Sequence, residues 1–570
     1  MGGNKFRISH KKASTGCGTC RARRVKCDEQ KPCCRRCAIA GRICDGYRTQ
    51  DPFVVFIAPQ TRNQLSDGFE NDTERRFFDY FRSISAFEFS RFFDEKIWCK
   101  QVLQAAHSVP AVKHAVVAVA SSHESFKAVR THVPWNLPRW PTARIHAQGE
   151  YSKAVTALRI QLEQDKSQCL PVVLTCGLLF CCLEMLGGNA PGALAHLAAC
   201  IKILNSITSK PDPTAQDIIY IQSHTPLTND VERDLLPIFT RLDIMASQGV
   251  IGRVPLLKQK TLPALDDHNA SPAYSFLSFS EAVQALYSLE SAELALDQTT
   301  WFDRFGLEVT HGGFSCRLVN PINTGHIPLE QLAARENILK HLSSWGPAFA
   351  AFVSRHPTEA DSRGYLLLRA HHKVITMKVI NSLYTEESMM DDCMPMFVEL
   401  LDVCAAIFSK STSSQSSTPN ERRPPPTWSV EGGIIRSLTF LTFACRDGRI
   451  RRHALWMLER CPQEGVWVPD MEAPPLRRLI ELEEGIAAGS SIGDWPPQEG
   501  QVFKRCEDIP EWKRIHFGWK VPVPGQRKSM WYCLTQPNGS DGGWHVNEDV
   551  VDWLPEKGLY DSPYMKEIGP

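Results

Sequence analysis

The sequence predicts a mostly α-helical protein with a small cysteine-rich module at its N-terminus and a small C-terminal appendage that contains β-strands. Seven of the twenty cysteines lie between Cys17 and Cys44. Apolar residues recur at the three-and-four spacing of amphipathic helices from Thr73 to Ala487, and tryptophans gather among prolines and glycines after Asp508. Because 570 residues exceed what one core organises, we expect a large domain with at least one small satellite.

The net charge changes sign along the chain near Arg48. Residues 1–48 hold thirteen Lys or Arg against three acidic residues, a net charge of +10, which leaves −9 for the rest of a chain whose total is +1. A basic N-terminal segment followed by a mildly acidic remainder indicates that the N-terminal segment binds a polyanion such as nucleic acid. The opening stretch MGGNKFRISHKK lacks the apolar run of a signal peptide, so we expect a reducing compartment and no disulfides.

The helical pattern predicts the extent of the body and its main interruptions. Thr73 is expected to cap the first helix, and the longest apolar run, Pro171 to Leu186, is expected to be a buried helix because a membrane span needs roughly 20 residues. The predicted segments are a head at 1–47, a linker at 48–72, a helical domain at 73–487 with a disordered loop at 410–426, a linker at 488–507 and a Trp-rich appendage at 508–570.

The cysteines of the head follow a duplicated spacing. The pattern C-x2-C-x6-C occurs twice, six residues apart, in Cys17, Cys20, Cys27 and in Cys34, Cys37, Cys44. Each C-x2-C aims two thiolates at one ion, and the six-residue step returns a third sulfur. Three sulfurs leave a tetrahedral zinc ion one ligand short, so the simplest arrangement is two Zn²⁺ ions that share two bridging sulfurs. Cys33 remains an alternative to Cys34, although it would break the spacing of the second arm.

Basic residues lie between and beside the cysteines. A short helix expected from Cys20 to Lys26 would carry four of them within two turns, namely Arg21, Arg23, Arg24 and Lys26. Such a helix can enter the major groove, where an arginine fork meets N7 and O6 of guanine. Three more arginines are candidates for phosphate contacts: Arg35, Arg36 and Arg42. For each of these residues, a solvated surface charge is the alternative role.

The string CGTCRARRVKCDEQKPCCRRCAIAGRIC, residues 17–44, resembles the fungal zinc binuclear cluster, or six-cysteine, transcription factors. The cysteine spacing, the basic RARRVK stretch and the loop proline Pro32 carry this resemblance. It implies that Cys17 and Cys34 bridge two zinc ions. The implied ligand sets are Cys17, Cys20, Cys27, Cys34 for one ion and Cys34, Cys37, Cys44, Cys17 for the other.

The resemblance also implies a function for the basic residues. Arg24, assisted by Arg23, would read CGG triplets in double-stranded DNA, although the family more often has Lys at the position of Arg24. The implied protein is a nuclear, zinc-dependent, sequence-specific regulator of RNA polymerase II transcription that works with the transcription machinery and forms a homodimer without contacting a membrane. The basic pairs and runs at Lys11–Lys12 and Arg21–Lys26 would suit nuclear import.

The body carries a weaker resemblance to the regulatory domain that follows many such clusters. The strings from Phe77 to Ser125, YSKAVTALR, LLFCCLEMLGGNAPGALAHLAACIKIL and FTRLDIMASQG extend the likeness to about Gly249 and more faintly to Ala487. YSKAVTALR also fits a tetratricopeptide fragment, but no 34-residue period is sustained. Many family members dimerise through a coiled coil after the cluster, whereas residues 48–72 show no sustained heptad pattern.

Three other functions were considered for this chain: a redox dithiol, a protein-docking zinc module and an enzyme. The CGTC motif alone would suit a redox dithiol, and the whole head would suit a zinc module that docks on proteins. An enzyme is not expected, because the sequence has no glycine-rich phosphate loop, no H-E-x-x-H and no G-x-S-x-G. His114 and His123 are interpreted as core or surface residues rather than ligands.

The C-terminal tail interleaves acidic and bulky apolar residues. Asp541, Glu548, Asp549 and Asp552 alternate with Trp544, Val550, Val551 and Trp553. This composition is typical of transcriptional activation segments, and a folded appendage is the alternative.

Overall fold

The computed structural model divides the chain into two compact units, Met1–Asp67 and Gly68–Pro570. The structure describes residues 16–30, 33–44, 68–93, 95–130, 139–164, 169–208, 231–250, 252–258, 272–310, 315–318, 327–357, 360, 362–412, 427–493, 495–523, 526, 528–536 and 543–553. These ranges do not include Lys11, Lys12, Pro32, the linker residues 48–67 or residues 413–426 of the expected loop.

The first unit contains two five-residue helices, α1 (Gly18–Ala22) and α2 (Arg35–Ile39). Its core is made of cysteine side chains. Four of them are fully buried, and Val25 with the two remaining motif cysteines packs against them.

The second unit is built mainly from helices. Its helices are α3 (Asp72–Tyr80), α4 (Ala86–Phe89), α5 (Val102–Ser108), α6 (Pro110–Arg130), α7 (Arg139–Gln164), α8 (Leu170–Leu186), α9 (Ala190–Thr208), α10 (Leu236–Gly249), α11 (Phe279–Phe305), α12 (Leu329–Ser354), α13 (Arg363–Asn381), α14 (Met394–Thr412), α15 (Ile435–Ala444), α16 (Gly448–Leu458) and α17 (Pro469–Glu484). The unit also contains two short two-stranded sheets. In one, β1 (Leu307–Thr310) pairs with β2 (Ser315–Leu318), and in the other, β3 (Trp428–Ser429) pairs with β4 (Gln463–Glu464). The prediction of a mostly helical body is confirmed.

Two large apolar clusters stabilise this body. Helices α3 to α10 form the first cluster, which contains the fully buried Trp98. Helices α11 to α17 form the second, which contains the equally buried Trp345. Trp428 of β3 belongs to the first cluster, although β3 lies between α14 and α15 in the sequence. A segment from the second half of the body thus completes the packing of the first cluster.

Helix α8 is buried along most of its length, as its unbroken apolar run predicts. Gly177 lets α9 approach closely, because a Cβ at this position would lie 2.3 Å from the Cys200 Sγ. Within the described residues one stretch, Ala190–Ile207 of α9, is long and apolar enough to cross a membrane by length and composition, a test that core helices of soluble proteins also pass.

Buried ion pairs hold distant segments of the body together. Arg241 on α10 makes two hydrogen bonds of 2.9 and 2.8 Å to Glu431, ahead of α15. Arg446 and Arg451 both donate to the carboxylate of Glu483 on α17, at 2.9 and 2.8 Å. The backbone N–H of Ile515 donates to the same carboxylate at 2.9 Å, so the chain leading to the C-terminal strands is fixed to α17.

Three antiparallel strands form the C-terminal sheet: β5 (Phe517–Pro522), β6 (Lys528–Thr535) and β7 (His545–Asp552). This confirms the expected β-containing appendage. The sheet packs against the helical body, because Trp531, Cys533 and Val551 belong to the second apolar cluster.

The side chains at the end of strand β7 alternate between two faces, but the faces do not separate acidic from apolar residues: Val550 is 51% exposed, and Asp549 is half-buried in an ion pair with Arg478. Trp544, Val551 and Trp553 are buried, while Glu548 and Asp552 are exposed. The described part of the tail, residues 543–553, is therefore folded, in agreement with the alternative to an activation segment.

One local expectation is wrong, and one helix was not predicted. Asn71, not Thr73, caps α3, because its side-chain oxygen accepts the N–H of Glu74 at 2.9 Å. Helix α16 was not expected from the apolar pattern, since its arginines are buried by ion pairs rather than solvated.

Candidate metal centre and nucleic-acid interface

The two arms of the head have the same local geometry. The Sγ of Cys17 accepts the N–H of Cys20 at 3.4 Å, and the Sγ of Cys34 accepts the N–H of Cys37 at 3.3 Å. In each arm a five-residue helix begins directly after the first cysteine. The duplicated spacing therefore folds as a duplicated turn that brings two sulfurs of each arm to one side.

Four sulfurs meet in the buried centre of the head. The Sγ atoms of Cys17 and Cys20 lie 3.6 Å from that of Cys34 and 3.8 Å from that of Cys37. A disulfide would need about 2.05 Å. Zinc–sulfur bonds of about 2.3 Å in a tetrahedron put sulfur atoms about 3.8 Å apart, so these thiols fit zinc ligation.

The outer cysteines of the two arms lie at the edge of this group. Cys27 is half-buried, and its sulfur lies within 4.8 Å of the Cys34 sulfur. Cys44 is also half-buried, and its sulfur accepts the N–H of Cys34 at 3.5 Å. Cys33 is exposed, and its thiol donates to the Cys34 carbonyl at 3.7 Å. The structure thus places Cys34, and not Cys33, among the buried sulfurs.

Crowding disfavours the ionised form of these thiols in the absence of a cation. Burial, followed by the neighbouring thiols of Cys17 and Cys34, raises the pKa of Cys20. Burial likewise raises the pKa of Cys34 and Cys37. A bound Zn²⁺ reverses this tendency, because a coordinating thiol is deprotonated outright. The donor set is therefore suited to a soft divalent ion.

The basic stretch is not the helix that was expected from Cys20 to Lys26. Helix α1 ends at Ala22, Arg24 adopts a left-handed conformation with φ 58°, and the N–H of Val25 closes the turn on the Cys20 carbonyl at 3.1 Å. A helix continued to Cys27 would place it about 10 Å along the axis from Cys20. The chain turns back because Cys27 has to return to the cysteine group.

The basic residues of the head lie on its surface. Arg23, Arg24 and Lys26 are exposed just after α1. Arg35 and Arg36 are exposed on α2, and Arg42 is exposed beyond it. Arg21 belongs to α1, but its side chain lies outside the described structure. The head therefore presents cations on both arms.

Sequence reasoning missed the role of Asp28. Its carboxylate accepts the backbone N–H of Arg35 at 3.1 Å and of Arg36 at 2.9 Å, at the start of α2. Desolvation opposes ionisation of Asp28, but the backbone N–H groups of Gln30, Arg36 and Arg35 outweigh it and lower its pKa. The first arm is thereby joined to the second through a helix cap, which the acidic residue directly after the third cysteine could have indicated.

The two histidines singled out in the body are buried and partnered. His114 Nδ1 lies 2.7 Å from a Glu150 oxygen and 3.7 Å from Glu74. These three residues could hold a metal ion by distance, but Lys113 and Lys153 already pair with the two carboxylates, at 3.2 and 3.0 Å.

His123 contacts Ser85 through Nδ1 at 2.9 Å and Glu88 through Nε2 at 3.1 Å. Both histidines are thus buried in the helical body and have hydrogen-bond partners.

Two family models match the chain. The fungal Zn(2)-Cys(6) binuclear cluster domain matches residues 15–52. The fungal specific transcription factor domain matches residues 76–418, which is more than half of the chain. The first match contains the cysteine group and the second contains most of the helical body.

Several curated proteins are similar to the chain. The aspercryptin biosynthesis cluster-specific transcription regulator atnN of Emericella nidulans is 23% identical over 588 aligned residues, covering 86% of this chain and 91% of that protein. The transcription regulator lscL of Purpureocillium lilacinum is 28% identical over 208 residues, covering 34% of this chain and 49%, about half, of that protein. The Zn(2)-C6 fungal-type transcription factor afumD of Aspergillus fumigatus is 35% identical over 131 residues, covering 21% of this chain and 34% of that protein. No solved structure matches the chain.

The cysteine group, the exposed cations and the helical body agree with both domain matches. The cluster domain binds two zinc ions, and the family binds DNA. Its members are regulators of transcription rather than enzymes as a rule. The chain belongs to the family of fungal Zn(2)-Cys(6) transcription regulators.

Proposed function

We propose that this chain is a nuclear, sequence-specific transcription factor that binds CGG-containing promoter sites in double-stranded DNA and regulates transcription by RNA polymerase II. The observation that carries the proposal is the exposed group of Arg23, Arg24 and Lys26, which lies directly after α1 between the buried Cys20 and the half-buried Cys27. Rigid cations of this kind can reach base edges in the major groove.

The proposed zinc ligands are Cys17, Cys20, Cys27, Cys34, Cys37 and Cys44. Cys17 and Cys34 bridge the two ions, and their sulfurs lie 3.6 Å apart at the centre of the group. Six thiolates and two zinc ions carry a net charge of −2, so the basic residues leave the surface of the head strongly positive.

Residues on the two arms have different proposed roles. Arg24, with Arg23, reads guanine through N7 and O6. Arg35, Arg36 and Arg42 contact phosphates, which set the orientation of the head without reading sequence. Arg21 and Lys26 bind DNA beside Arg24. The helical domain at 73–487 regulates this activity, the transcription machinery is the partner, and the DNA-bound form is a homodimer.

A second candidate function is protein docking through the head. Ile39 and Ile43 favour it, because these apolar side chains are 79% and 89% exposed on the second arm. Exposed apolar groups contribute to protein interfaces and add nothing to phosphate binding.

One titration separates the two functions. The full-length protein is titrated with a fluorescent duplex that contains CGG triplets and with a scrambled duplex of the same composition. Sequence-specific binding is expected to favour the CGG duplex by several orders of magnitude at physiological salt. Equal affinity for both duplexes would remove the base-reading role, and binding to neither would favour the docking function.

A further inference from the structure

Two cysteines that are far apart in the sequence meet in the second unit. Cys445 follows α15 directly and is buried, whereas Cys506 begins a single turn of 3-10 helix, Cys506–Asp508, and is half-buried. Their thiols are hydrogen-bonded to each other, and both cysteines are free rather than joined in a disulfide. The pair belongs to the helical body and is separate from the six proposed zinc ligands.

The backbone holds the segments of the two cysteines together. The N–H of Gly448, three residues after Cys445, donates to the Lys504 carbonyl at 2.9 Å. A Cβ at Gly448 would lie 2.8 Å from the same oxygen, so the two segments approach too closely for a side chain at this position. Arg514 donates to the Cys506 carbonyl at 3.0 Å. The contact between the thiols therefore follows from the packing of the chain around them.

The two thiols have different surroundings. Cys506 is half-buried, so a small oxidant can reach its sulfur, whereas Cys445 is 0% exposed. The hydrogen bond from the Cys445 thiol stabilises the thiolate of Cys506 and lowers its pKa. The same hydrogen bond, followed by burial, raises the pKa of Cys445. Cysteines that sense oxidants have such a reactive sulfur with a second thiol poised beside it.

We propose that Cys445 and Cys506 form a redox modification site, at which a hydroperoxide such as hydrogen peroxide converts the two thiols into a reversible disulfide. The disulfide ties the end of α15 to the segment that leads to the C-terminal sheet. In a reducing compartment such bonds are transient, so the dithiol is the resting form. The proposal does not depend on DNA binding by the head.

The reaction has two steps. The thiolate of Cys506 attacks one oxygen of the peroxide, the O–O bond breaks, and the leaving hydroxide takes up a proton and departs as water. The resulting sulfenic acid of Cys506 is attacked by the Cys445 sulfur, the S–O bond breaks, and the hydroxyl leaves as a second water with the thiol proton of Cys445. Two thiols are thus oxidised by two electrons, and the peroxide is reduced to two waters. A dithiol reductant restores both thiols by exchange.

The test uses zinc-loaded full-length protein and hydrogen peroxide. Remaining thiols are blocked with N-ethylmaleimide, and peptides are identified by mass spectrometry without reduction. We expect a peptide pair linked through Cys445 and Cys506, which is absent before oxidation and disappears with dithiothreitol. The linked protein should also have a higher denaturation midpoint than the reduced protein, because the cross-link restricts the unfolded chain between these residues.

Two variants separate the reactive thiol from its partner. Cys445→Ser removes the second thiol, so oxidation of Cys506 should stop at the sulfenic acid, which dimedone captures. Cys99→Ser is the matched control. Cys99 is also half-buried, but its sulfur contacts the Ser90 hydroxyl at 3.9 Å, and burial raises its pKa. This variant should form the disulfide like the wild type.

Far-UV circular dichroism establishes that each variant is folded. If Cys445→Ser does not fold, Cys506→Ser replaces it, and its buried Cys445 should remain reduced under the same treatment. The proposal is overturned if oxidised wild-type protein contains no link between Cys445 and Cys506. It is also overturned if dimedone labels Cys99 as readily as it labels Cys506 in the Cys445→Ser variant, or if Cys445 is oxidised equally well without Cys506.

Discussion

The two units of this chain have cores of opposite kinds. The core of the head consists of four buried cysteines with Val25 packed beside them, whereas the body buries aromatic and aliphatic side chains in two large clusters around residues such as Trp98 and Trp345. A module of a few tens of residues cannot bury enough apolar surface to fold alone and needs a metal or disulfides. The head and the helical body therefore depend on different interactions for their stability, so each can be lost while the other remains.

The largest expected effect comes from the proposed bridging cysteines. Cys34→Ser or Cys17→Ser should abolish binding of both zinc ions and of CGG duplexes, because structural zinc supplies the folding energy of such modules. Cys27→Ser should leave a single ion. Zinc per chain is measured by atomic absorption after gel filtration.

Cys33→Ser is the matched control for these variants, since Cys33 is exposed beside Cys34. It should keep two zinc ions and full affinity. Loss of zinc in Cys33→Ser with retention in Cys34→Ser would reverse the proposed ligand set.

The next effect concerns the body alone. Glu483 is buried and accepts hydrogen bonds from Arg446, Arg451 and the Ile515 backbone. Glu483→Gln should lower the free energy of unfolding of the body by about 3 to 5 kcal/mol, because it removes a buried negative charge that pairs with two buried guanidinium groups. Zinc content and CGG affinity should be unchanged.

Denaturant titration followed by circular dichroism measures this loss. Glu507→Gln is the control, because the Arg505–Glu507 pair is 78% and 75% exposed and such pairs contribute about 1 kcal/mol at most. If Glu483→Gln and Glu507→Gln shift the denaturation midpoint by the same amount, the buried Glu483 stabilises the body no more than an exposed ion pair does.

The same carboxylate gives the body an acid sensitivity. Burial opposes ionisation of Glu483, but Arg446 and Arg451 outweigh it and hold its pKa below the ordinary value of 4.5. A lowered folded-state pKa means that the contribution is present above pH 4.5 and is lost as the pH falls further. Glu483→Gln should therefore flatten the decline in stability of the body below pH 4.5.

A smaller effect is expected for base reading in the head. Arg24→Ala should cost about 1 to 3 kcal/mol on a CGG duplex and much less on scrambled DNA, because a bidentate contact with guanine is lost. Arg24→Lys keeps the charge and restores the family's commoner residue, so CGG recognition should largely survive. Fluorescence anisotropy titrations decide, and an equal loss on both duplexes would assign Arg24 to phosphate binding.

The smallest effect is expected for the second arm. Arg35→Ala or Arg36→Ala should weaken binding to all duplexes about equally and reduce the slope of log affinity against log salt by roughly one unit for each lost phosphate contact. Arg505→Ala, an exposed arginine of the body, is the control. An unchanged slope in Arg35→Ala and Arg36→Ala would place these residues away from the DNA.

The sequence indicated what kind of side chain forms the core of each unit, but not the tertiary contacts that complete each core. Spacing indicated that the cysteines of the two arms act together, and helical periodicity located most of the body. The end of α1 depends on Cys27 returning to a group that forms only in three dimensions. Asp28 caps a helix seven residues ahead, and no local pattern selects that partner.

Buried charge limited sequence-based prediction in the body. Helix α16 carries Arg451 and Arg452, which read as surface residues, yet Glu483 and Glu484 pair with them from about thirty residues away. These features depend on tertiary neighbours, which periodicity and composition do not specify.

The most direct test of the account removes zinc from the full-length protein. CGG duplex binding and far-UV circular dichroism are followed together while a chelator is added and zinc is then restored. The account predicts that CGG binding disappears and returns with zinc, while the helical signal of the body changes little because its apolar clusters contain no metal ligand among the proposed six. Binding that persists in demonstrably zinc-free protein, or a helical signal that collapses together with binding, would contradict it.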